Sequence, residues 1–169
     1  MSDLVVAADW RMSVVQDFAG SELFDRTFQE GMELVEATAA YLDGEGRQES
    51  KLLSRAAALA YASESMRLTT RLMQLASWLL VQRAVREGDM RAHDACEERY
   101  RIRPDAGADR SEHPALPKGL RQLLETTDRL FERVLHLDRR MYLEQAPDAL
   151  THPVLTQMGR IEAAFGRAG

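Results

Sequence analysis

From Ser50 to Arg86 the chain runs about 37 residues without a glycine or a proline, far beyond the roughly 11-residue mean of a globular helix. At about 1.5 Å per residue such a run makes a rod of roughly 55 Å. Its centre, Glu64-Ser-Met-Arg-Leu-Thr-Thr-Arg-Leu-Met-Gln-Leu-Ala-Ser-Trp-Leu-Leu-Val-Gln-Arg-Ala-Val85, contains no catalytic signature. The residues alone therefore predict a helical scaffold that presents a contact surface.

Size and charge narrow the remaining classes. A chain of 169 residues fits one domain with one core, and an aromatic content of 7% with few β-branched clusters leans away from a sheet. The net charge of −5 argues against nucleic-acid binding, which depends on clustered Lys and Arg that neutralise phosphates. The longest uncharged stretch of the run, Leu72 to Gln82, is about half of the roughly 20 residues that a bilayer requires. The start, Met-Ser-Asp-Leu-Val-Val-Ala-Ala-Asp, has no basic region of a signal peptide, so a cytoplasmic protein is expected. Cys96 is a single cysteine with no internal partner and no activating basic cluster.

Charge is distributed unevenly. Residues 1–49 carry three basic and eleven acidic groups, whereas residues 50–88 carry six basic and two acidic ones. Neighbouring segments are thus complementary and are expected to pack, although each exposed pair contributes under about 1 kcal/mol.

Apolar spacing predicts three helices. Residues 1–20 hold Val5, Val6, Trp10, Val14, Val15 and Phe18 without a sustained period and read as a partly extended N-terminal arm. Ser21 is an N-cap candidate, after which Leu23, Phe24, Phe28, Met32, Val35, Ala39 and Leu42 share one face up to Asp43-Gly44. The loop to Ser50 is short enough to require an antiparallel neighbour. The second helix is expected to start near Ser50 and to become apolar over much of its circumference after Leu72. The first helix covers little more than half of it, so Trp78, Leu79, Leu80 and Val81 need another shield, for which the third helix and a second copy of the chain are favoured over the arm. From Gly88 the composition turns charged and irregular, with one more short helix expected before a mobile loop over residues 103–117. Then Leu116, Leu120, Leu123, Leu124, Thr127, Leu130, Phe131, Val134, Leu135, Asp138, Met141 and Tyr142 give the cleanest helical period, over Lys118 to Gln145. The expected fold is all-α, an antiparallel three-helix bundle over residues 21–145 with one long central helix, an arm and a tail flanking it at 1–20 and 146–169, and homodimeric assembly. In the tail, Leu155, Met158, Ile161 and Phe165 form an apolar ladder that either docks on its own bundle or folds on a partner.

Chemistry is sparse. Of His93, His113, His136 and His152, only His136 has a carboxylate, Glu132, at i−4 on a regular helix, and no second pair completes a carboxylate-bridged site. His93-Asp-Ala-Cys96-Glu-Glu98 fits no zinc spacing. Asp43-Gly-Glu-Gly46 lacks the features of a phosphate loop, and no nucleophile elbow is present. No metal, cofactor or catalytic role is expected. Glu64, Arg67 and Arg71 form a polar stripe that either pairs with Glu30, Glu33 or Glu36 of the first helix or, if exposed, docks an acidic partner. Trp78, with Leu79 and Val81, reads as core or dimer interface, while Gln82 is a candidate contact residue.

Two blocks carry a family resemblance. Ala58-Leu-Ala-Tyr-Ala-Ser-Glu-Ser-Met-Arg-Leu-Thr-Thr-Arg-Leu-Met-Gln-Leu-Ala-Ser-Trp-Leu-Leu80 and Phe28-Gln-Glu-Gly-Met-Glu-Leu-Val-Glu-Ala-Thr-Ala-Ala-Tyr-Leu-Asp-Gly-Glu-Gly-Arg47 resemble the regulator of CtrA degradation family, RcdA. With the helical pattern of 118–145 the similarity spans about residues 21–145. The resemblance implies a small homodimeric helical protein of α-proteobacteria, an adaptor that tethers cell-cycle substrates, or further adaptors such as PopA, to the ClpXP protease primed by CpdR. It further implies a cytoplasmic protein concentrated at the cell pole by its partners. Under that reading Arg67, Arg71, Gln82, Leu155, Met158, Ile161 and Phe165 are the candidate partner contacts. A helical interaction module without a protease role, and a helical-bundle enzyme, are the competing readings.

Overall fold

Three long helices with complementary apolar faces enclose one another in the computed structural model, which describes residues 2–104 and 113–142, with backbone alone for residues 2–8. The order is α1 (Ser2–Ala19), α2 (Glu22–Asp43), α3 (Glu45–Ser50), α4 (Arg55–Glu87), α5 (Ala92–Ala95), a 3₁₀ turn (Glu98–Tyr100) and α6 (Lys118–Tyr142). No strand occurs among the described residues.

The helix ends follow local chemistry. Ser21 caps α2 by accepting a hydrogen bond from the Phe24 N–H at 3.2 Å, which satisfies one of the donors left over in a first turn. The central helix starts later than Ser50: Ser54 is its cap, accepting from the Ala57 N–H at 3.2 Å. Residues Glu45–Ser50, expected as a loop, instead form the short α3. At its other end α4 stops at Gly88, whose φ of 81° lies in the left-handed region that favours glycine.

The N-terminal segment departs most from expectation. Residues 2–19 are helical rather than partly extended, and Val15, Phe18 and Ala19 are buried. Phe18 reaches Trp78 with ring centroids 5.6 Å apart and Phe24 at 5.8 Å. Part of the shield over Trp78 is therefore this helix, which the sequence reading ranked behind a second copy. Few apolar positions suffice here because two aromatic contacts anchor them.

Cross-helix pairs define the directions. Asp25 near the start of α2 meets Arg86 near the end of α4, so these helices are antiparallel. Glu30 meets Arg133 while Tyr41 packs on Gly119, so α2 is antiparallel to α6 as well. By contrast Arg67 pairs with Asp128, Trp78 with Asp138 and Gln82 with Tyr142, which makes α4 and α6 parallel. α6 accordingly starts, at Lys118, at the end of the bundle where α4 began. α2 comes close to α4 at Gly31, where an added Cβ would stand 2.5 Å from Leu79 Cδ1. Leu68, Leu75, Trp78, Leu79, Leu120, Leu130 and Val134 fill the centre.

Candidate interaction surface

The polar residues of the central helix lie largely inside. Glu64 and Arg67 are buried; the Arg67 Nε donates to Glu64 Oε2 at 2.9 Å and its Nη1 to Asp128 Oδ1 at 3.4 Å. Arg71 also donates to Asp128, and its guanidinium lies over the Phe131 ring, 5.1 Å from the centroid. The acid that Arg67 and Arg71 share is thus Asp128 of α6, rather than Glu30, Glu33 or Glu36 of α2. The buried Arg67 and the largely enclosed Arg71 share the buried carboxylate between them, since charges removed from water need close counter-ions. Gln82 is fully buried and donates to the Tyr142 hydroxyl at 3.2 Å. The exposed placement expected of Arg67 and Gln82 is therefore corrected, and Arg71 is largely enclosed with them. Trp78 and Leu79 lie in the interior and Val81 is half-buried. Leu155, Met158, Ile161 and Phe165 lie outside the described residues.

With the charges drawn inward, the outside of α4 is left apolar. Leu59, Met66, Met73 and Leu80, each seven residues from the next, are between 52% and 73% exposed. A spacing of seven drifts only about 20° per step around a straight helix, so the four side chains form one stripe roughly 32 Å long. Around them the exposed residues are Ala56, Ala62, Ser63, Thr69, Thr70 and Ser77, and no exposed residue between Arg55 and Arg83 is charged. Contiguous apolar surface of this kind marks contact sites in soluble proteins, and methionine adapts its shape to a partner at little cost. Of these four, sequence reasoning singled out Leu80 alone as needing a shield. The seven-residue spacing was the available signal.

Met73 stands as a crest between two depressions. One, of about 290 Å³, lies toward α2 beside Val35, Ala39 and Leu72. The other, of about 500 Å³, lies between α4 and residues 99–103. The outer wall of the second is fixed by Asp138, a fully buried carboxylate that accepts from Trp78 Nε1 at 3.0 Å and from Arg101 at 2.8 and 3.0 Å. Arg101 also lies over the Tyr142 ring at 5.0 Å.

Among the described residues no three His, Cys, Asp or Glu side chains converge as a metal site. Burial pushes the Cys96 thiol up, disfavouring the reactive thiolate. Burial likewise raises Tyr142 to about 12, and burial with the Glu49 hydrogen bond raises Tyr41 further. These phenols stay protonated and structural. Among the described residues no helix is long and apolar enough to cross a membrane.

The comparisons agree on one family. A family model described as "Protein of unknown function (DUF1465)" matches residues 15–165. Among solved structures, RcdA from Caulobacter crescentus CB15 shares 66% sequence identity, with a TM-score of 0.65, across 77% of this chain and 99% of that one. No curated protein matches.

Proposed function

Because this chain belongs to the RcdA family, we propose that it is a non-catalytic adaptor of regulated proteolysis, tethering cell-cycle substrates or further adaptors to ClpXP primed by CpdR. The observation that carries this reading is the uncharged outer face along the middle of α4, with Leu59, Met66, Met73 and Leu80 exposed while Glu64, Arg67 and Arg71 of the same stretch are enclosed. A bundle that exposes leucine and methionine in one row has surface that only another macromolecule covers well.

Two functions share that surface in the proposal. A second copy associates along the α4 face, giving the homodimer expected of the family, and the exposed flanks of the pair contact protease components and cargo. Tethering acts by effective concentration: holding a substrate near the protease through two modest contacts gives local concentrations that reach the millimolar range for short flexible tethers. Neither contact needs high affinity. Leu155, Met158, Ile161 and Phe165 of the tail are proposed as a further contact, whose replacement by alanine weakens delivery.

The test is reconstituted degradation of candidate cell-cycle substrates by purified ClpXP and CpdR, with this protein added or omitted. Accelerated loss of a substrate that depends on both CpdR and this protein is the expected result. Identical degradation with and without it, for every substrate and with a PopA-like adaptor present, would sink the proposal.

A further inference from the structure

The depression between α4 and residues 99–103 differs in kind from the stripe beside it. Its floor is apolar, formed by Trp78, Val81 and Ile102. Its outer wall carries Arg99 and Arg103, both exposed, in a chain whose net charge is −5. Gln74 in the inner wall has a carboxamide oxygen that is closed off from solvent and without a hydrogen-bond partner. Buried acceptors are normally satisfied, so a donor entering the groove has a ready place to bond once the carboxamide turns.

We propose that this groove binds an extended acidic peptide of a partner protein, seating an apolar side chain on Trp78, Val81 and Ile102 while its carboxylates meet Arg99 and Arg103. The volume of about 500 Å³ holds one or two large apolar side chains with their backbone, within the usual range of ligand clefts of roughly 300–1,000 Å³. Arginine suits the task because its planar guanidinium forms paired hydrogen bonds with a carboxylate. Arg99 already lies 2.8 Å from Glu97, an exposed contact of small net worth, so an incoming carboxylate displaces it cheaply. The wall itself is firm: Arg101, between the two recognition residues, is held by the buried Asp138. A preset wall spares the peptide part of the ordering cost of binding. This inference rests on the reading of the chain as a protein-binding adaptor, and it names the chemistry of one partner segment.

The test uses the full chain and fluorescein-labelled nonapeptides in which leucine and phenylalanine are set among glutamates, with an otherwise identical series carrying glutamine in place of glutamate. Anisotropy is expected to show binding of the acidic peptide at least tenfold tighter than the glutamine one, weakening as salt is added. Both Arg99→Glu with Arg103→Glu and the milder Arg99→Gln with Arg103→Gln are expected to weaken it at least tenfold, with an unchanged circular-dichroism melt. Arg26→Glu, on the exposed face of α2 and away from the groove, is expected to leave it unaltered. Equal binding of the two peptides, or no effect of the Arg99 and Arg103 changes in folded protein, overturns the proposal. So does sedimentation showing that these arginines govern association of copies while the peptide does not bind, which would make the groove an interface between copies. Loss of the groove proposal with substrate degradation still accelerated leaves the adaptor role standing; peptide binding without any acceleration removes the adaptor role instead.

Discussion

Asp138 joins three elements through one carboxylate, so its removal has a size that the geometry sets. Replacing it with alanine leaves the Trp78 indole N–H without its acceptor, a buried orphan costing about 1–3 kcal/mol. It also leaves Arg101 without its counter-ion. Breaking a buried ion pair costs about 3–5 kcal/mol, but the Arg101 side chain retains 18% exposure, so water relieves part of that loss. The two effects share one site and overlap, giving an expected total of about 3–5 kcal/mol. Asp138→Asn separates them, because it keeps an oxygen for the indole and removes the charge opposite Arg101; its cost should be about 2 kcal/mol. Urea denaturation followed by circular dichroism and tryptophan fluorescence measures both, and for a chain of this size the alanine variant should melt about 10 °C lower. Equal losses for the two variants, or a loss below about 1 kcal/mol for alanine, would refute the assignment of Asp138 as the pin.

Three further outcomes are expected. Gly31→Ala gains about 1 kcal/mol of helix propensity but places its Cβ 2.5 Å from Leu79 Cδ1; with Leu79 and Leu130 both fully buried, overpacking of about 1–3 kcal/mol should win, and a more stable variant in urea would contradict this packing. Tyr142 holds its proton up to about 12 in the folded chain, whereas the unfolded chain releases it near the ordinary value of about 10; between these values the unfolded state binds fewer protons, so stability falls as pH rises from about 10, and Tyr142→Phe should flatten that part of a urea-midpoint profile. Glutamate at both Met66 and Met73 should leave the fold of a single copy within about 0.5 kcal/mol of the original, as surface changes usually do, yet abolish association of copies by sedimentation; unchanged association would remove the α4 face as the proposed interface.

The parts of this fold legible in the sequence are those governed by local chemistry. Ser21 announces α2 because a hydroxyl before an apolar row has a donor to cap, and Gly88 ends α4 because the backbone there needs a positive φ. The period of residues 118–142 was legible because α6 is contacted on one side. What escaped depends on partners distant in sequence. α1 shows no strong period, since Val15 and Phe18 are fixed by contacts with other elements rather than by a continuous stripe. Arg67 and Gln82 looked like surface residues because polar side chains usually are; their burial is made tolerable by partners that include Asp128 and Tyr142, about 60 positions away, with Glu64 adding a local counter-ion for Arg67. Leu59, Met66 and Met73 are exposed for the complementary reason, since among the described residues no other helix reaches that side of α4. Hydrophobicity reports what a residue favours, while the sides of a rod left uncovered are decided by the lengths and directions of the other rods.

Leucines alone let one rod glide along another, since each step exchanges one greasy neighbour for the next. Charges set between α4 and α6 oppose it: a displacement of one turn, about 5.4 Å, would pull Asp128 out of its shared place between Arg67 and Arg71 and part the fully buried Asp138 from Trp78 and Arg101, at a cost of several kcal/mol. The bundle is keyed along its axis. Whatever settles on the outer row of α4 is consequently delivered at one set height relative to α6, which lets a small rigid spacer fix how far apart two bound molecules stand.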